Sequence, residues 1–280
     1  MNRNLYMETQ GQGPELVLLH GWGLHGGVWD TLMPRLTPKF RVTRIDLPGH
    51  GRSRDLPMPL SLTELTLQAM ASVAPGAVVL GWSLGGLVAL EAALRMPQRM
   101  RGLILANSTP RFIAADDWSC AMPPEQLRQF AQDLSRDYQE TLQQFLSLQV
   151  RGDESARASL RQLQEALFAR GEPDTASLAT GLDILKDSDL RPRLKDVSVP
   201  TLVLAGDYDR LTPVGASQYL AEHIPGARLE VFPKSTHAPF ISHAEPFVTA
   251  VTGFMAELEQ GSDVQGRTNV AGGRMPGATP

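Results

Sequence analysis

The tightest constraint on this chain is a change of pattern at Ser83. Residues 77–82 (AVVLGW) read as a strand, and the residues from Leu84 to Met96 read as a helix that stops before Pro97. Glycines stand at positions 81, 85 and 86. A strand that becomes a helix across one residue strains the backbone there. It also brings strand and helix too close for side chains at the flanking positions, which is what the glycines relieve. A strand of nearly unbroken apolar residues is one buried on both faces, as in a parallel sheet covered by helices. Segments 15–20, 41–46, 103–107, 201–206 and 228–232 are further strands of this arrangement. A helix over 63–73 follows a cap at Ser61, and the alternation of strand and helix predicts an α/β fold with right-handed crossovers.

The alternation stops between residues 111 and 199. Leu127, Phe130, Ala131 and Leu134 are spaced as one helical stripe, Leu160, Leu163 and Leu167 as a second, and Leu178, Leu182 and Leu185 as a third. With no convincing strand before Thr201, the expected organisation is a core of residues 1–110 and 191–260 with a helical lid inserted at 111–190. Residues 261–280 hold five glycines and two prolines and read as a disordered tail. The net charge of −4 argues against a dedicated nucleic-acid binder. No run approaches the ~18 apolar residues of a membrane span, and no signal peptide is visible. One cysteine, Cys120, offers neither a disulfide nor a metal cluster. The expectation is a soluble, cytoplasmic monomer without cofactor or metal.

Gly81-Trp82-Ser83-Leu84-Gly85 is a G-x-S-x-G elbow in its strand-to-helix context, which marks Ser83 as a nucleophile. A serine hydroxyl needs a base. After such an elbow the acid comes next in the chain and the base last. The base is His237, in the loop after segment 228–232, with His243 as the alternative. The acid follows segment 201–206 and is Asp209, with Asp207 as the alternative reading of a solvent-facing or turn-capping residue. Ester chemistry also needs backbone donors for an oxyanion. Leu84 supplies one, and Trp22, in the loop His20-Gly21-Trp22-Gly23 after the first core strand, supplies the other. The turn-rich loop 46–53 has structural work for its glycines and proline and no catalytic role.

HGWG, DLPGHGRS, GWSLGG, GDYDRLTP and HAPFISH, in that order, resemble the α/β-hydrolase superfamily over roughly residues 5–258. HGWGL, GWSLGGLVA and HAPFISH resemble, more narrowly, the pimeloyl-[acyl-carrier protein] methyl ester esterases of biotin synthesis. The resemblance implies an α/β-hydrolase fold with a mostly parallel sheet and a helical lid. The implied reaction is hydrolysis of the ω-methyl ester of a carrier-bound pimeloyl chain. By position, Ser83, Asp209 and His237 match the family's triad, and Gly206, Asp209 and Pro213 match its spacing around the acid. Trp22, Ser83, Leu84, Phe145, Leu146, Ser147, Leu148, Gln149 and His237 match its substrate contacts. The family docks its acidic carrier on basic lid residues. Here the lid has no net basic run, but Arg157 and Arg161 share a helix face and are the candidate contacts. Other tasks share this machinery: a short-chain carboxylesterase, a lactonase, a lyase of menaquinone synthesis, or a receptor that keeps the fold without turnover.

Overall fold

The computed structural model describes residues 4–149, 156–167 and 169–271. Seven strands form one sheet: β1 (Met7–Gln10), β2 (Glu15–Leu19), β3 (Arg41–Ile45), β4 (Ala77–Trp82), β5 (Met100–Ala106), β6 (Thr201–Gly206) and β7 (Arg228–Phe232). Their spatial order is β1-β3-β2-β4-β5-β6-β7. All neighbours pair in parallel except β1, which runs antiparallel to β3. The apolar runs mark the central strands because every residue of β4 and β6 is buried. Strand β1 escapes the sequence pattern: its Met-Glu-Thr-Gln is half exposed and has a single apolar residue.

Helices cover both faces. After α1 (Met33–Leu36), α2 (Leu62–Met70) starts at Ser61, whose hydroxyl accepts from the Glu64 N–H at 3.2 Å. Helix α3 (Leu84–Arg95) follows Ser83 directly, and its residues from Leu84 to Ala93 are buried. That explains its lack of a polar face. Its one acid, Glu91, is buried but paired with Arg95 and with Arg193, and it accepts from Thr63.

Between β5 and β6 the chain forms α4 (Pro124–Arg136), α5 (Tyr138–Gln149), α6 (Ala156–Leu167) and α7 (Thr175–Asp187). Leu127, Phe130 and Leu134 are buried as their spacing predicts, while Ala131 is exposed at the edge of that stripe. Helix α7 is anchored on the loops that follow β2 and β3. The Met58 N–H donates to the Ser177 hydroxyl, and a side chain at Gly181 would meet the Trp22 ring at 2.7 Å. In the turn between α6 and α7, Arg170 reaches Glu8 at 3.0 Å and the fully buried Asp46 at 3.4 Å. The chain closes with α8 (Val214–His223), α9 (Pro239–Ser242) and α10 (Ala244–Ala271). Helix α10 continues to Ala271, past residue 261 where the sequence suggests a tail; residues 272–280 lie outside the described residues. Helical hydrogen bonds carry the backbone on after the apolar pattern ends.

Candidate active site

The elbow has the geometry its glycines require. Ser83 sits at φ 55° and ψ −119°, a conformation unfavourable for any residue with a side chain. A Cβ at Gly81 would lie 2.1 Å from the Gly85 carbonyl oxygen, and one at Gly85 would lie 2.4 Å from that of Leu19. The strain is held by neighbours: the Ser83 N–H donates to Ala106 at 3.1 Å, and the Ser108 hydroxyl donates to the Ser83 carbonyl at 2.9 Å. Ser83 is 4% exposed.

The loops after β6 and β7 meet beside it. His237 Nδ1 lies 2.7 Å from Asp209 Oδ2, and both side chains are fully buried. Asp209 Oδ2 also accepts from the Asn107 amide and the Thr212 hydroxyl, each at 2.6 Å, while its Oδ1 accepts the N–H groups of Leu211 and Thr212. Burial alone would raise the Asp209 carboxyl. The His237 charge and the hydrogen bonds from His237, Asn107 and Thr212 outweigh it and hold the group below its usual range. Because Nδ1 donates to the acid, Nε2 is left as the basic nitrogen. It is buried and has no hydrogen-bond partner among the described residues. His237 is gripped on both sides through its backbone. Its N–H donates to the Gln149 carbonyl at 3.0 Å, and its carbonyl accepts from the Trp82 indole at 2.8 Å. The alternatives lie elsewhere: Asp207 is exposed, and His243 pairs with Ser242 at 2.8 Å.

The oxyanion loop packs directly on the elbow, since a Cβ at Gly21 would touch Ser83 Cβ at 3.2 Å. The Leu84 N–H opens α3 and so has no intrahelical acceptor. Trp22 is anchored by its indole, which donates to the Leu178 carbonyl of α7 at 2.9 Å. Two buried histidines hold the loop from beneath. His20 donates from Nδ1 to Gly21 and accepts the Leu47 N–H at Nε2. His50 donates from Nδ1 to Pro48 and accepts the Gly23 N–H at 3.1 Å. Each therefore works only as a neutral ring. Burial, with the neighbouring histidines, pulls His20 well below its ordinary value, and burial takes His50 down to about 4. Loop 46–53, which sequence reasoning leaves without a part in the chemistry, thus positions the oxyanion loop.

A narrow cavity opens at Ser83, lined by Phe112, Ile113, Met122, Leu127, Phe130, Phe145, Leu182, Leu185 and Leu211. Among the described residues Ser83 is its only polar lining residue, so it suits an aliphatic acyl chain. Of the expected contacts, Ser83 and Phe145 line this cavity. The Trp22 ring stands behind Phe145, edge to face at 5.0 Å. Leu146 is buried in the lid, Gln149 holds the His237 loop, and Ser147 and Leu148 line an outer groove. Arg157 and Arg161 are exposed on α6, Arg161 paired with Glu165 at 2.8 Å. Asn107, Ser108, Thr212 and His50 are the residues that sequence reasoning missed. Only position could have found Asn107: it directly follows β5, its N–H donates to Leu204 of β6, and the loop after β6 carries Asp209.

A family description of the α/β hydrolase fold matches residues 14–244. The chain belongs to the α/β hydrolase family. A pimeloyl-[acyl-carrier protein] methyl ester esterase of Nitrosomonas europaea is 46% identical over 248 residues, covering 88% of this chain and 97% of the relative. The namesake from Xanthomonas campestris pv. campestris is 44% identical over 254 residues, covering 91% and 100%. Among solved structures, an esterase of Exiguobacterium antarcticum superposes with a TM-score of 0.79 at 25% identity, covering 89% of this chain and 94% of its own. A hydrolase of Pseudomonas aeruginosa gives 0.73 at 30% identity, covering 90% and 94%. Within the α/β hydrolases this member is a carboxylic ester hydrolase. Among the described residues no group of acids, histidines and cysteines is placed to hold a metal ion, and no helix is long and apolar enough to cross a membrane.

Proposed function

We propose that the chain hydrolyses the methyl ester of pimeloyl-[acyl-carrier protein], releasing methanol and the ω-carboxylate, with Ser83, His237 and Asp209 as its triad. The observation that carries this is the joining of the Asp209–His237 pair and the Ser83 elbow to an almost wholly apolar cavity. The names of relatives 44–46% identical over nearly the whole chain point to the substrate.

Ser83 Oγ attacks the ester carbonyl carbon as His237 Nε2 takes its proton, and Asp209 steadies the imidazolium. The N–H groups of Trp22 and Leu84 hold the oxyanion. Collapse breaks the bond to the methoxy oxygen, which leaves as methanol with the proton from His237. Water, deprotonated by the same nitrogen, then attacks the acyl-serine and releases the acid. The four helices between β5 and β6 act as a lid over the chain. Arg157 and Arg161 meet the acidic carrier. The enzyme works as a monomer in the cytoplasm, where its single cysteine needs no partner.

The test is product analysis by mass spectrometry with the carrier-linked methyl ester as substrate. The expected result is loss of one methyl group with the thioester intact. Ser83→Ala should lower turnover by about 10⁴-fold or more while the circular dichroism spectrum is unchanged. Turnover of simple short-chain esters with no action on the carrier-linked ester would instead make the chain a general carboxylesterase.

A further inference from the structure

The lid holds a second void that the proposed reaction leaves unused. It is an open groove between α4, α5 and α6, lined by Phe130, Glu140, Gln143, Gln144, Ser147, Leu148 and Gln164. Phe130 also lines the buried cavity at Ser83, so one aromatic ring stands between the two spaces. Phe130 rests edge to face on Phe145 at 5.7 Å and is held by packing alone. The two sides differ sharply in chemistry. The inner cavity is hydrocarbon. The outer groove presents three neutral carboxamides, a hydroxyl and one carboxylate, Glu140, which Gln144 engages. The carboxamides of Gln143 and Gln164 make no hydrogen bond to another described residue, while Gln144 donates to Glu140 at 3.3 Å.

Helix α6 extends the series. Arg157, Arg161 and Gln164 fall at i, i+4 and i+7, one exposed face of that helix. From Ser83 outward the wall therefore changes from apolar, to carboxamide, to guanidinium. A carrier-bound acyl chain changes in the same order: a hydrocarbon chain, then a thioester arm with two amides, then a phosphodiester. Carboxamides pair with amides through both donor and acceptor, which neither an apolar wall nor a charged one does.

We infer that the groove of Gln143, Gln144 and Gln164 is the subsite for the amide-bearing pantetheine arm of the substrate, with Phe130 as the gate between arm and acyl chain. This rests on the carrier-linked reading above and deepens it. It also gives Arg157 and Arg161 a defined target, the phosphate at the end of the arm.

Two substrates separate the arm from the acyl chain: dimethyl pimelate, and methyl pimelate joined as a thioester to phosphopantetheine. The double variant Gln143→Ala/Gln164→Ala changes exposed helix positions that tolerate alanine. It should raise KM for the phosphopantetheine thioester by about fivefold to tenfold, as expected for two lost hydrogen bonds, and leave dimethyl pimelate unchanged. Phe130→Ala should raise kcat/KM for the bulky thioester relative to the diester. A pair variant that treats both substrates as the unaltered enzyme does, or that loses both equally, overturns the arm subsite. An unaltered enzyme that cleaves dimethyl pimelate but leaves the carrier-linked ester intact overturns the proposed function, and the subsite with it.

Discussion

Asp209 Oδ2 is the most contested atom of the site, taking hydrogen bonds from His237, Asn107 and Thr212 at once. Asn107 earns its place twice, because the same amide nitrogen donates to the Thr236 carbonyl at 3.1 Å and so ties the acid to the histidine loop. Its backbone stands at φ 41°, left-handed strain that a side chain so engaged repays. Asn107→Ala should lower kcat on p-nitrophenyl butyrate about tenfold with KM little changed, since the loss is one of alignment. Asn107→Asp should do something different. It places a second carboxylate against the first, the two cannot both ionise, and the acid limb of the kcat/KM profile should move up by about one pH unit or more. A profile superposable on that of the unaltered enzyme would refute this role. None of it was legible from the chain alone. Ser83, Asp209 and His237 could be read because a motif and an order of appearance mark them. Asn107 carries no motif, and its value comes from adjacency across the sheet.

At the scale of elements, two glycines in helices make opposite predictions. Gly181 in α7 faces the Trp22 ring at 2.7 Å, whereas Gly253 in α10 has open space around it. Helix propensity alone favours alanine at both by up to about 1 kcal/mol. Gly253→Ala should therefore raise the urea midpoint. Gly181→Ala should cut kcat about tenfold, because it pushes on Trp22, the residue whose backbone N–H is proposed to receive the oxyanion. The two variants, measured side by side for urea midpoint and turnover, check whether α7 sets the oxyanion loop. All six strands of the parallel run, and α2 and α3, could be located from sequence: burial on both faces writes apolar runs in the central strands, the half-exposed β7 keeps Leu229, Val231 and Phe232, and Ser61 and Pro97 punctuate the helices. Strand β1 could not, for it covers an edge with a half-exposed METQ. Nor could the way α7 settles on Trp22, which depends on a missing side chain at Gly181 rather than on one present.

For the whole molecule, the buried histidines link stability to pH. His50 is neutral in the fold with a value near 4, and it regains an ordinary value near 6.5 when the chain unfolds. Below pH 6.5 the unfolded chain binds the extra proton. The stability present above that pH is therefore lost as pH falls towards 4, by roughly 3 kcal/mol for this one ring. His20 adds a loss of the same sign. Urea midpoints from pH 7 to pH 4 should fall steeply in the unaltered protein and less steeply in His50→Gln. Equal slopes would show that the ring is not held neutral by the Gly23 N–H.

The hydrocarbon lining at Ser83 also bears on how the product leaves. An ester enters the cavity uncharged, and the same molecule leaves the chemical step carrying a carboxylate. Apart from Ser83, the described residues of the wall that welcomed it are Phe112, Ile113, Met122, Leu127, Phe130, Phe145, Leu182, Leu185 and Leu211, none of them a cation that could meet the new charge. An ionised carboxylate in such a place is far costlier than in water. Once the acid moves off the backbone donors at Ser83 this wall offers it nothing, and the spent chain, acidic at its tip, is poorly suited to return.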